Sequence, residues 1–288
     1  MPKDRWHELC DSVAEDDGLP TWDEAGHWTL DKLRFWHRYI DITTTAMVGN
    51  PSWPGGLAYV DLFAGSGICT LRGTQRRFPG SALIAANAVK PFSKIIVCEK
   101  DPVHAEACMA RLDRTSARDR CRLFLGDCNE LIREIVDEIP RGCLTLAFVD
   151  PKGLDAKFAT ISTLASRARV DFVILFAHAV DVSRNVEHVY RQDPHSKLDQ
   201  FLGPDSRWRE RLDGLAVASG VHKRWLFAEI YKSQLQRHLQ YCEFDDKSIE
   251  DAGRPLYKLI YASRHKLGVK FWRQAVKKDS SGQRDLFD

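Results

Sequence analysis

The stretch Ala58 to Gly67, AYVDLFAGSG, limits what this chain can fold into more than any other. Ala58, Tyr59 and Val60 lead into Asp61, and Gly65 and Gly67 flank Ser66 just beyond. Such an apolar run predicts a strand buried in a parallel sheet, ending at the sheet's carboxyl edge. The two glycines then allow a tight turn whose backbone comes close to a ligand where a Cβ would clash. A dinucleotide-type loop needs a third glycine three residues after Gly67, and Thr70 stands there. The loop therefore reads as a ligand cradle with no pyrophosphate to hold; a purely architectural turn is the competing reading.

Four more apolar runs follow: Lys94–Glu99, Cys121–Leu125, Cys143–Val149 and Val170–Ala177. Helical stretches separate them at Ser81–Val89, from Asp101 to about Ala117, Glu130–Glu138 and Asp155–Arg167. This alternation predicts an α/β fold with a doubly wound sheet. After it, Lys223–Tyr241 reads as a long amphipathic helix and Glu243–Lys247 as a short sixth strand. Leu256–Ser263 reads as a seventh, antiparallel strand, and Gly268–Lys277 as a closing helix. Residues 178–222 interrupt the rhythm with short helices, which predicts a helical insertion after strand 5 that builds part of a substrate site. Thr29–Met47 is a further helix, and residues 68–79 read as a basic, unpatterned loop. The expected organisation is an acidic N-terminal arm (1–29), loosely attached, then one domain (30–278) and a disordered tail (279–288).

No apolar run reaches the ~20 residues needed to span a bilayer, and no secretory signal is visible. A cytoplasmic location without membrane contact is expected. The eight cysteines form no C-x-x-C pair, which favours reduced structural thiols over disulfides or a zinc site. His178, His188 and His195, with Asp181 and Asp193, have no metal-ligand spacing either, so no metal is expected. Residues 1–29 carry eight acidic and two basic side chains, whereas residues 203–278 carry sixteen basic and nine acidic ones. That basic third permits nucleic-acid contact.

The candidate chemistry lies at the strand ends. Glu99, with Asp101 two residues on, is placed to accept hydrogen bonds from a ribose diol, although Asp101 also suits a helix cap. Gly126-Asp127-Cys128-Asn129 forms the third turn in register, and Asp150-Pro151-Lys152-Gly153 the fourth. Arg184-Asn185 and Arg264-His265 are secondary candidates for substrate contact.

The D-x-F-x-G-x-G pattern from Asp61 to Gly67 resembles motif I of Rossmann-like S-adenosylmethionine (AdoMet) methyltransferases, whose sheet has seven strands, the last antiparallel. That resemblance implies S-adenosylmethionine as cofactor. Asp61, Phe63, Ala64, Gly65, Ser66 and Gly67 would hold its methionine end, Glu99 and Asp101 the ribose, and Asp127 and Asn129 the adenine. Asp150-Pro151 is similar to the [DNS]-P-P-[YFW] turn of nucleic-acid amino-methyltransferases, which orients an exocyclic amine. Lys152 departs from it by replacing the stacking aromatic, and D-P-x-G is closer to the turn of guanine-N2 tRNA dimethyltransferases.

Over Thr29 to Val276 the motif order resembles the bacterial three-Cys-motif partner (TcmP) family. The matching pieces are the helix with Lys32 and Tyr39, YVDLFAGSG, Gly80-Ser81, CEKD, GDCN, AFVDPKGL, Gln200–Gly203 and LYKLIYASRHKLGVKFW. The family implies a partner, a radical-AdoMet-like protein bearing three cysteines. The resulting expectation is an AdoMet-dependent methyltransferase acting on nucleic acid at an exocyclic amine. Asp150 and Pro151 would orient the acceptor and Lys152 would meet phosphate. The alternative is a non-catalytic AdoMet- or nucleotide-binding partner subunit in nucleic-acid processing or repair. Thr70 and the lack of a hydride-transfer His or Tyr-Lys pair argue against a dehydrogenase. Finally, the tail QRDLFD resembles the short peptide by which bacterial replication and repair proteins dock on the sliding clamp, through Gln283, Leu286 and Phe287.

Overall fold

The computed structural model describes residues 4–177, 182, 185–215, 220–251 and 253–277. The acidic N-terminal stretch forms helix α1 (Trp6–Asp11) and strand β1 (Trp22–Ala25), followed by the long helix α2 (His27–Met47). The expected buried strand is β2 (Leu57–Asp61), and its glycine turn leads into a hairpin of β3 (Ile68–Leu71) and β4 (Arg77–Pro79). Strands and helices then alternate: α3 (Ser81–Ala86), β5 (Lys94–Glu99), α4 (Pro102–Leu112), β6 (Cys121–Leu125), α5 (Cys128–Asp137), β7 (Leu144–Val149), α6 (Phe158–Arg167) and β8 (Arg169–Phe176). After α7 (Lys197–Leu202), α8 (Trp208–Asp213) and α9 (Gly220–Leu239), strands β9 (Glu243–Asp251) and β10 (Arg254–Ser263) pair, and α10 (Lys266–Val276) follows.

The main sheet runs β6-β5-β2-β7-β8-β10-β9. Its first five strands are parallel, and β10 is antiparallel to both β8 and β9. This is the doubly wound arrangement with a late antiparallel strand expected from the strand pattern. Every residue of β2 and β7 is buried, as central strands covered on both faces require. Alternation divides them between two cores. Tyr59, Leu146, Phe148 and Val173 face α2 and α10, against Trp36, Tyr39 and Trp272. Val60, Ala147 and Ile174 face the other way, against Ile161 and Tyr231. The chain builds outward from β2 through β5 to β6, then returns to lay β7 on β2's other side. The order reverses there, and a crevice opens outside the carboxyl ends at such a switch point.

Two expectations are corrected. The N-terminal arm is not loosely attached. Trp6 and Leu9 are buried, β1 pairs in parallel with β3, and Asp16 and Asp17 pair with Arg77. Arg77 and Arg111 are buried cations on the sheet domain, and the arm supplies the carboxylates that compensate them. Residues 68–79 are not an unpatterned loop but the β3–β4 hairpin, in register Ile68↔Pro79 and Thr70↔Arg77. Ile68, Leu71 and Phe78 bury themselves despite the basic residues between them. In the insertion, the described residues include a π-turn at Val186–Tyr190 as well as α7 and α8. His178, Asp181, Arg184 and the 279–288 tail lie outside the described residues. All eight cysteines are free, and among the described residues no helix is long and apolar enough to cross a membrane.

Candidate active site

A cavity of about 890 Å³ opens at the carboxyl ends of β2, β5, β6 and β7. The glycine turn forms its floor. Gly65 (φ +62°) and Gly67 (φ +83°) both take left-handed backbone. A Cβ built on Gly65 would meet no atom within 4 Å, so that side of the turn is open to a ligand. Gly67 is pinned from behind, its carbonyl accepting from the Gly80 N–H at 2.8 Å. The Ser66 carbonyl accepts from Arg111 Nη1 at 2.7 Å, which ties the turn to α4 and the N-terminal segment.

Asp61 lies behind the turn and not on the cavity wall, which corrects its reading as a ligand contact. Its fully buried carboxylate accepts from the Tyr59 hydroxyl (2.9 Å), the Phe63 N–H (3.2 Å) and the Ser81 hydroxyl. Burial pushes this carboxyl up to about 6 despite those donors. Asp61 therefore shapes the loop. The N-cap of α3 is Gly80, which has no side chain to cap with, and Ser81 spends its hydroxyl on Asp61.

Glu99 does line the cavity. Its Oε2 accepts from the Gly65 N–H at 2.7 Å and its Oε1 from the Asp101 N–H at 2.8 Å. Each carboxylate oxygen can accept twice, so capacity remains for a ribose diol. Asp101 is primarily the N-cap of α4, accepting from the Val103 and His104 N–H groups, which hold its carboxyl below the usual range.

The third turn behaves differently from expectation. Asp127 caps α5: its Oδ1 accepts from the backbone and side chain of Asn129, and its Oδ2 pairs with Lys100 at 3.1 Å. The Asn129 amide is saturated. Its Nδ2 donates to Asp127 Oδ1 and the Asp155 carbonyl, and its Oδ1 accepts from the Lys157 N–H and the Thr160 hydroxyl. Asn129 is thus a clamp between the third and fourth turns; it lines the cavity with its side-chain hydrogen-bonding capacity spent.

At the fourth turn, Asp150, Pro151 and Lys152 all line the cavity. Lys32 of α2 donates from Nζ to Asp150 Oδ2, and its side chain is only 10% exposed. Lys152 Nζ stands 5.3 Å from the centroid of the Trp22 ring, and Arg72 lies 5.9 Å from that of Trp28. Trp22, Trp28, Lys32, Arg72, His104 and Tyr257 join the wall, and none was identifiable as a cavity residue from local pattern. Trp22, Trp28 and Lys32 come from the N-terminal stretch and its helix; the Trp content of that stretch and the place of Lys32 in the family resemblance were the only signals.

The remaining candidates lie elsewhere. His195 faces a separate cavity shared with Asp199 and His238. Arg264 is corrected outright. Because β10 runs antiparallel, its end lies at the amino edge of the parallel strands, where Arg264 donates to the Leu239 and Ala165 carbonyls. His265 caps α10 there.

No protein-family model matches the chain, and no curated protein matches it. Among solved structures, it is similar to an O-methyltransferase from Bacillus cereus in complex with SAH, at 11% identity and a TM-score of 0.46. That match covers 91% of this chain and 92% of the other. It is also similar to M. jannaschii TYW2 in complex with AdoMet, at 10% identity and TM-score 0.42, covering 82% and 74% of the two chains. A third likeness, to the METTL16 MTase domain, has 14% identity and TM-score 0.44, with 90% and 79% covered. The fold assignment itself stands on the strand order.

Proposed function

We propose that this chain is an AdoMet-dependent methyltransferase acting on nucleic acid, at an exocyclic amine. One observation carries the reading: the open glycine turn, Glu99 and the Asp150-Pro151 turn all face one cavity at the sheet's switch point. The residues fit the cofactor. The space beside Gly65 would take the methionine end, and the spare acceptor capacity of Glu99 would take the ribose hydroxyls. When bound, AdoMet supplies an electrophilic methyl group on a positively charged sulfur. Lys32 fixes Asp150 through Oδ2, which leaves Oδ1 to accept one N–H of the acceptor amine. That contact aims the nitrogen lone pair, and catalysis is then mainly positioning. The nitrogen gives up its proton as it gains the methyl, through Asp150 to water. Lys152, exposed at the rim, would meet phosphate.

Transfer of labelled methyl to DNA and RNA pools tests this reading. Asp150→Ala is expected to abolish incorporation while AdoMet affinity stays within about threefold; lost affinity would reassign Asp150 to the cofactor.

A second reading is a non-catalytic AdoMet-binding subunit for a radical-AdoMet-like three-cysteine partner, as the TcmP resemblance implies. Lys152 favours it, because the aromatic that would stack an acceptor is missing after Pro151. Co-purification with such a partner, without methyl incorporation, would select it. The sliding-clamp docking of the tail is compatible with either.

A further inference from the structure

The fourth turn has a lysine where an aromatic would have stacked an acceptor ring, yet an indole stands beside that lysine. Trp22 belongs to β1, far away in sequence, and its ring lies 5.3 Å from Lys152 Nζ on the cavity wall. Its position is strongly determined. β1 pairs with β3 in the register Trp22↔Cys69, and the Thr21 and Thr70 hydroxyls bond at 2.7 Å. Just upstream, Arg111 holds the Leu19 and Pro20 carbonyls and the Asp17 carboxylate, while its Nη1 also reaches Ser66 of the glycine turn. The His104 ring meets the indole edge-on at 5.8 Å between centroids. A half-buried indole on a cavity wall, with a flexible lysine ammonium over one ring face, suits a planar ring attached to an anion: the base takes the place of the ammonium over the ring, and the displaced ammonium takes the charge.

We infer that Trp22 is the acceptor-stacking residue of this site, its indole receiving the base of a nucleotide whose phosphate is taken by Lys152. The inference rests on the methyltransferase reading for the word acceptor, but the stacking can be measured independently. It also makes the N-terminal segment part of the site.

The test is fluorine NMR on the whole 288-residue chain labelled with 5-fluorotryptophan at its eight Trp positions. Trp22→Phe assigns the Trp22 resonance, and the buried Trp36 and Trp272 serve as internal references. Adenosine, guanosine and cytidine monophosphates are titrated with S-adenosylhomocysteine present, after a titration with S-adenosylhomocysteine alone. The expected result is a saturable shift of the Trp22 resonance by at least one nucleotide. Trp22→Ala should weaken that binding about tenfold or more, with Trp22→Phe much closer to wild type. Nucleotide binding that leaves the Trp22 resonance fixed overturns the inference. So does a Trp22 shift produced in full by S-adenosylhomocysteine alone, which would make the indole a cover for the cofactor. Failure of S-adenosylhomocysteine to bind would overturn the methyltransferase reading instead, and the nucleotide titration would still decide Trp22.

Discussion

Replacing Arg111 with Met should loosen the cavity from behind without touching any ligand-facing group. Arg111 is 3% exposed and spends all five guanidinium donors: two on Asp17 (2.8 and 2.9 Å) and one each on the carbonyls of Leu19, Pro20 and Ser66. Methionine roughly keeps the volume and removes every donor. Breaking a buried pair by deleting one partner costs ~3–5 kcal/mol, and Asp17 keeps Arg77 as a second partner, so we expect about 3 kcal/mol. For a chain of this size, that lowers the melting temperature by roughly 5 °C. Arg77 and Arg111 hold the Asp17 carboxyl well below its ordinary range, with hydrogen bonding from Arg111 the leading cause. A depressed value means that this stabilisation is present above the unfolded value, about 4, and is lost as the pH falls below it. The gap between wild type and Arg111→Met should therefore narrow on acidification. Urea unfolding at neutral and acid pH measures the gap, and amide exchange across β1 and Gly65–Gly67 locates it. A loss below about 1 kcal/mol, with exchange at the glycine turn unchanged, would refute the idea that Arg111 couples the arm to the turn.

Three other outcomes are expected. Asp61 titrates near 6 when folded, about two units above an unfolded aspartate, so its contribution is full below about pH 4 and is lost as the pH rises through 6. Wild type should thus lose about 3 kcal/mol relative to Asp61→Asn between pH 4 and 7 in urea titrations, and parallel profiles would contradict the assignment. Asn129→Ala frees four hydrogen-bonding partners between two turns and should cost about 2–3 kcal/mol, with AdoMet affinity altered far less than stability; calorimetry beside thermal melts separates the two. A peptide covering Ser280 to Asp288 should bind a bacterial sliding clamp in fluorescence anisotropy and lose binding when Leu286 and Phe287 become Ala. Absence of binding by the natural peptide at high micromolar concentration would end that proposal.

The sheet was legible because its strands are short apolar runs with unambiguous ends: β5 and β6 fall where Lys94–Glu99 and Cys121–Leu125 predict. Strand ends in turn located the cavity, since a doubly wound sheet gathers them at one edge. What the sequence could not convey was long-range compensation. Asp17 and Arg111 are 94 residues apart, and nothing local marks an acidic segment as the partner of a buried guanidinium. The same applies to Lys32 and Asp150. Asn129 shows a different limit. Its turn gave its place, but whether an amide is free for a ligand depends on groups at 155, 157 and 160 that only packing brings to it. Arg264 was misplaced because the direction of β10 decides which edge its end occupies.

The central claim is that the Gly65–Gly67 turn is the floor of an AdoMet site. Its most direct test is calorimetric titration of the purified protein with AdoMet, S-adenosylhomocysteine and NAD, beside Gly65→Val. Valine at φ +62° pays roughly 1–2 kcal/mol of backbone strain and puts its methyls into the open space above the turn. Micromolar binding of the first two ligands, no binding of NAD, and loss of binding in the variant are the predicted results. Equal affinity in wild type and Gly65→Val, or no binding of AdoMet by the wild type, would contradict the account.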